Sequence, residues 1–161
     1  DSQTVDYEAL RQTVKVGVRM QDNVIDATPY FLEENKTQAL GERRVGLGVM
    51  GLADLLIYCE KEYGSEEGNK LVDEIFKTIA IAAYEASIEL GQERGSFPFL
   101  QGETEAETAR LREAFVNTGF MKKMPQHVRD GVREFGIRNS HLLTVAPTGK
   151  VVAPYVCKIV A

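Results

Sequence analysis

The chain has 161 residues, 43% apolar and 27% charged, with a formal net charge of −5 and a pI near 5.2. This length and apolar content suit one domain, or part of one, that buries roughly two thirds of its surface. The acidic balance, with basic residues never exceeding the pairs Arg43-Arg44 and Lys122-Lys123, argues against a nucleic-acid or anionic-membrane surface.

From Asp6 to about Ile25, residues Leu10, Val14, Val18, Gln21 and Ile25 recur at helical spacing, which predicts an amphipathic helix with Ser2 or Thr4 as its N-cap. TPYFLEENKTQALGERR then reads as a connection, because Thr28 precedes Pro29 and is steered away from helix. The segment RRVGLGVMGLADLLI follows, a short strand at Val45 leading into a helix over LADLLIYCEK. In GSEEGNKLVDEIFKTIAIAAYEASIELGQERG, residues Leu71, Ile75, Ile79, Ala82, Ala86 and Leu90 share one face. Glu66 and Glu67 sit at the positive helix start, and Gly91 or Gly95 is the stop. Ala80, Ala82, Ala83, Ala86 and Ser87 leave a narrow surface that a neighbouring backbone can approach. SFPFLQGE reads as a turn, ETEAETARLREAFV as a surface helix and GFMKKMP as a connection. QHVRDGVREF predicts a short helix with Val128, Val132 and Phe135 as its apolar positions. SHLLTVAPTGK is a short apolar strand running into a proline, threonine and glycine.

Gly46, Gly48 and Gly51 match the G-x-G-x-x-G pattern of a nicotinamide-dinucleotide turn, whose meaning depends on a buried strand before it and an acidic residue closing a second strand about 20 residues later. Neither neighbour is present. Gly41, Glu42, Arg43 and Arg44 occupy the place of the first strand, and Glu66 and Glu67 lie in a polar turn that opens a helix. A short strand whose glycines allow close backbone packing explains the pattern better.

Chemistry-bearing residues are sparse. Cys59 and Cys157 form no C-x-x-C, so neither a zinc site nor a disulfide framework is expected, and a reduced, cytoplasmic setting fits. Cys59 reads as a small buried hydrophobe, and Cys157 in the apolar tail VVAPYVCKIVA has no activating partner in the sequence. His127 and His141 are isolated from other ligand-type residues, so no metal site is expected. The carboxylates between Glu103 and Glu107 read as partners of a helix dipole. Pro147-Thr148-Gly149 can turn consecutive N–H groups and a hydroxyl toward a phosphate, with Lys150 as a neighbouring cation, although P-T-G is first of all ordinary turn chemistry. It is not a Walker A loop, since Thr144 stands where its first glycine belongs and Val151 where its Ser or Thr belongs. The start of the chain shows no signal-peptide pattern, the longest apolar run is far short of a membrane span, and Asp1 in place of an initiator Met fits a processed product or an excised piece.

Three blocks, VRMQDNVIDATPYFL, then ERRVGLGVMGLADLL with AAYEASIELGQERGSFP, and finally FGIRNSHLLTVAPTGK, resemble in order and separation the large catalytic subunit of ribonucleotide reductase. The style of GLGVMGLADLL is most similar to the adenosylcobalamin-dependent class II enzymes, and class I large subunits carry similar blocks. The resemblance covers residues 1–150 and implies a helix-dominated α/β fold, a partial piece of a ten-stranded α/β barrel in which the glycine segment is a strand and turn. It implies radical reduction of ribonucleotides to deoxyribonucleotides, with adenosylcobalamin as the cofactor of the full-length enzyme. The radical cysteine, its asparagine and glutamate partners and two redox cysteines would precede Asp1, and the terminal reductant relay would follow Ala161, so no catalytic residue falls in this chain. The loop after RNSHLLTVAP cradles the substrate diphosphate in the family. By that resemblance Thr148 and Gly149 match the substrate-phosphate pattern, while Lys150 stands where Thr or Ser is usual. Residues 151–161 depart from the family's serine- and glycine-rich continuation and form an atypical apolar tail.

The expected partners are therefore a ribonucleotide and the remainder of the barrel, with self-association through exposed strand edges possible and no nucleic acid or membrane. The isolated chain is expected to be inactive. A rival reading is a non-catalytic helical binding or assembly module whose alanine-rich face around Ala83 is buried against another chain. A weaker one is a nicotinamide-dependent dehydrogenase with a parallel βαβ unit at Val45 to Ile57.

Overall fold

The computed structural model describes residues 4–145, and helices dominate them. Helix α1 spans Tyr7–Ala27. Its N-cap is Asp6, whose carboxylate accepts the Ala9 N–H at 2.9 Å, so the expected cap moves from Thr4 to Asp6, while Ser2 lies outside the described residues. An acidic cap also complements the positive end of the helix dipole. The buried face is Val14, Val18, Asp22 and Ile25. Gln21, expected on that face, is displaced by its neighbour Asp22.

Helix α2, Glu33–Glu42, occupies what reads in sequence as a connection. It carries no apolar stripe to reveal it, since only Gly41 is buried. Glu33 and Glu34 favour its first turn, and Lys36 pairs with Glu33 one turn on. The absence of a side chain at Gly41 lets the Phe99 ring lie against the helix, where a Cβ would come within 2.3 Å of it.

A short helix α3, Leu52–Tyr58, ends at Cys59, which is buried as expected. Helix α4, Glu66–Arg94, starts at Ser65, whose hydroxyl accepts the Gly68 N–H, and stops at Gly95 with φ of 86°. Gly91 is therefore inside the helix. A Cβ there would sit 3.3 Å from the passing backbone of Ile137 and Arg138. Ala82, Ala83, Ala86 and Ser87 are buried within the chain itself, which removes the exposed alanine face that an assembly module would present.

Helices α1 and α4 run parallel. Arg11 pairs with Glu85, Lys15 with Glu89 and Arg19 with Glu93, so both helices advance by four residues per contact in the same direction. Each pair is partly exposed and contributes about 0–1 kcal/mol. The surface helix α5, Glu105–Val116, is capped by Thr104, and its Arg112 donates to the Arg133 and Glu134 carbonyls at the end of α6, Gln126–Phe135. Val128 and Val132 bury the inner face of α6, whereas Phe135 is 41% exposed and leaves the predicted apolar set. Pro98–Leu100 and Met121–Lys123 form single 3₁₀ turns.

Helices α2 and α6 are each followed by an extended segment, and the two segments meet side by side. Among the described residues the strand pairing is one parallel bridge, Leu47 with Leu143, so the strands expected around Val45 and over SHLLTV are shorter than predicted. Val45 N–H donates to His141 O and Leu47 N–H to Leu142 O, an advance of two residues against one that interrupts a regular ladder.

Candidate functional site

The seam between segments 45–49 and 141–145 is the feature to which the glycine pattern belongs. A Cβ on Gly46 would lie 3.1 Å from the Thr144 methyl carbon, and one on Gly48 would lie 3.2 Å from the Thr144 carbonyl oxygen. Gly51 precedes α3 with φ of 76°, a conformation that L side chains resist. All three glycines thus have local reasons unrelated to a dinucleotide. Glu66 and Glu67 open α4 rather than closing a second strand, and the βαβ unit that a nicotinamide site would need between Val45 and Ile57 is not formed.

At the amino end of the seam lies a buried polar node. Asp22, fully buried on α1, faces three guanidinium groups: Arg43 at 2.9 Å, Arg138 at 3.4 Å and Arg94 at 3.5 Å. Arg43, 4% exposed, also grips Asp26 through Nη1 and Nη2 and donates to the Asp22 carbonyl. Its backbone is left-handed, φ 48° and ψ 47°, which ends α2 and turns the side chain back onto α1. Burial opposes the Arg43 charge, but the Asp26 and Asp22 hydrogen bonds outweigh it and raise its pKa. The same bond with Arg43 holds the Asp26 carboxyl below its usual value against a smaller opposing effect of burial.

Asn139 completes the node. Its Nδ2 donates to Asp22 Oδ1 and to the Arg43 carbonyl, both at 3.0 Å, while Ser87 Oγ donates to its Oδ1 at 2.9 Å and accepts its backbone N–H at 3.0 Å. Sequence reasoning missed Asp22, Arg43 and Asn139 as a group. One signal was available: Asp22 continues the spacing of Val14 and Val18, and a carboxylate on an apolar helix face demands a buried cation.

The carboxyl end is different in kind. Two clefts adjoin the Leu47–Val49 stretch, of about 310 and about 780 Å³. The smaller is walled by Val14, Leu52, Leu55, Ile75 and Ile79. The larger is walled by Tyr84, Phe97, Phe115, Met121 and Leu142, with Ser140 and His141 among its polar lining residues. Burial pushes the Tyr84 hydroxyl up to about 12, so it stays protonated against its ring neighbour Phe120.

The predicted phosphate-binding residues Thr148, Gly149 and Lys150 lie outside the described residues, as do Cys157 and the tail over 151–161. The described chain reaches Val145, at the carboxyl end of the seam and on the lining of the larger cleft. His127 is exposed and meets Glu85 at 2.9 Å, bridging α6 to α4, and His141 Nδ1 contacts Ser140 Oγ at 3.1 Å. In the acidic cluster, Glu107 accepts the Glu103 N–H and sits in the first turn of α5, in keeping with a dipole role. Among the described residues no three His, Cys, Asp or Glu side chains converge as a metal site would require.

The family model described as "Ribonucleotide reductase, barrel domain" matches residues 1–153. The chain is 35% identical over 160 residues to a ribonucleoside-diphosphate reductase subunit alpha of Chlamydia pneumoniae, covering 91% of this chain and 15% of that protein. It is 35% identical over 147 residues to a vitamin B12-dependent ribonucleoside-diphosphate reductase of Mycobacterium tuberculosis (strain CDC 1551 / Oshkosh), covering 91% and 18%. A protein of the same B12-dependent name from Thermoplasma acidophilum is 37% identical over 151 residues, covering 94% and 16%. The chain therefore spans less than a fifth of the length of these relatives. With the family model matching nearly its whole length, the chain belongs to the ribonucleotide reductase barrel-domain family.

Proposed function

We propose that this chain is a piece of the catalytic subunit of a ribonucleoside-diphosphate reductase, in which residues 1–150 supply part of the ten-stranded α/β barrel and Thr148, Gly149 and Lys150 hold the substrate diphosphate. The observation that carries the reading is the parallel seam. In parallel α/β architectures ligands gather at the carboxyl ends of the strands, and here that end is followed in sequence, after Val145 and Ala146, by Pro147-Thr148-Gly149-Lys150. Backbone N–H groups and the Thr148 hydroxyl would donate to phosphate oxygens, with Lys150 adding charge. Residues 151–161 are a distinct apolar tail.

The radical chemistry resides in parts of the longer polypeptide that supply the catalytic cysteines, so this chain binds and orients rather than turns over. Adenosylcobalamin, suggested by the B12-dependent relatives, would supply the radical in the whole enzyme. No step here runs through the cofactor. The partners are the ribonucleotide and the remaining barrel strands, whose apolar side chains suit the two clefts, and an unpaired seam edge also permits self-association. A cytoplasmic setting accords with this reading. No described helix is long and apolar enough to cross a membrane.

Titration of CDP into the chain, followed by amide NMR, tests the reading. Saturable shifts confined to Thr148, Gly149, Lys150 and the adjoining seam are expected. A dispersed spectrum in which none of these signals moves would overturn the diphosphate role.

A further inference from the structure

Asn139 is bonded at once to the groups on which the seam depends. It reaches α1 through Asp22, the first segment through the Arg43 carbonyl, and α4 through Ser87, all at 2.9 to 3.0 Å, and it is fully buried. Arg43 and Asn139 each stand two residues before the Val45 N–H to His141 O bond of the seam, and a Ser140 N–H to Glu42 O bond joins the same two segments beside the node. That short spacing leaves little slack between node and seam. A buried ionic group often stabilises no more than an apolar replacement would, and its best-attested use is to exclude wrong registers. A one-residue slip, about 3.3 Å, would pull Asn139 away from the Arg43 carbonyl and turn the buried Leu142 toward the opposite face.

We propose that Asn139 is a positioning residue that fixes the register of segment 141–145 against 45–49. On the reading that Thr148, Gly149 and Lys150 bind diphosphate, on which this second part rests, Asn139 thereby sets where their N–H groups are presented. Thr148 stands three residues after Val145 in sequence, a reach of at most about 11 Å, which limits how far the loop can stray from the end of the seam.

Asn139→Ala in the full chain tests the proposal by hydrogen exchange at the Leu47 and Thr144 amides and by the CDP dissociation constant and binding stoichiometry. Losing the buried bonds is expected to speed seam exchange about tenfold relative to Ile79 on α4 and to weaken CDP about tenfold, with stoichiometry retained. Val116→Ala, a buried truncation on α5, is the control: a merely structural loss lowers the folded fraction, hence the stoichiometry, and leaves the dissociation constant unchanged. Should the Asn139 variant fail to fold, Ser87→Ala removes only the hydroxyl beneath it and is expected to move both readouts the same way by about threefold. Wild-type exchange at Leu47 and Thr144 in a folded variant would overturn the register role. Faster exchange with an unchanged CDP constant would overturn the link to the loop. Faster exchange in a chain whose wild type binds no CDP would sink the diphosphate reading and leave the register role standing.

Discussion

The two ends of the seam differ in what fills them. At the amino end, Asp22, Arg43, Asn139 and Ser87 are buried and answer one another's charges and hydrogen bonds. At the carboxyl end, glycines hold the backbones close and the adjoining clefts have mainly apolar walls. The contrast separates holding from offering. A satisfied polar network has one good arrangement and so defines alignment, whereas bare backbone beside open space can receive another segment or a ligand.

The sharpest way to break that contrast is Asp22→Ala. It leaves Arg43, Arg94 and Arg138 facing a void, and a loss of about 3–5 kcal/mol is expected in urea unfolding, because removing one partner strands buried charge. A loss under about 1 kcal/mol would mean that water reaches the node and the amino end is not the closed one.

Next in size is Gly48→Ala at the opposite end. Its methyl would meet the Thr144 carbonyl at 3.2 Å, a backbone atom that cannot step aside alone, and a cost of about 1–3 kcal/mol is expected. Gly46→Ala meets only the Thr144 side chain, so Thr144→Ser should restore most of its smaller loss. Chemical denaturation of both single variants and the double variant decides this. Equal costs at Gly46 and Gly48 with no rescue would show that strand approach at Thr144 is not what the glycines serve.

The smallest effect lies outside the seam, on the helix pair that carries it. Hydrogen bonding to Arg19 draws the Glu93 carboxyl from its usual 4.5 down to about 2. Because the folded value is depressed, the associated stability is present above pH 4.5 and is lost as pH falls toward 2. Glu93→Gln should therefore lower the melting temperature slightly at pH 6, with the deficit shrinking below pH 4.5. A deficit independent of pH would assign the effect to packing rather than charge.

Helices α1, α4, α5 and α6 were legible because each carries a local signature: an apolar face repeating at helical spacing, or a capping residue at its start. Helix α2 was not, because its stability comes from charged first-turn residues and from Phe99 lying on Gly41, a contact between positions 58 residues apart by number alone. The glycine pattern was half legible. Its failure as a dinucleotide turn could be read from missing neighbours, but its actual partner, Thr144, is distant in sequence and known only once the segments pair.

Sequence alone determined helices α1, α4, α5 and α6, their order and the family to which three spaced blocks point, since periodicity and block spacing are properties of the chain read in one dimension. Tertiary structure decided that α1 and α4 run parallel, that Gly46 and Gly48 face Thr144, and that Asp22, Arg43 and Asn139 share one buried site. Those facts depend on charges and backbones that meet only after folding, where burial makes each unsatisfied partner costly and so selects a single arrangement.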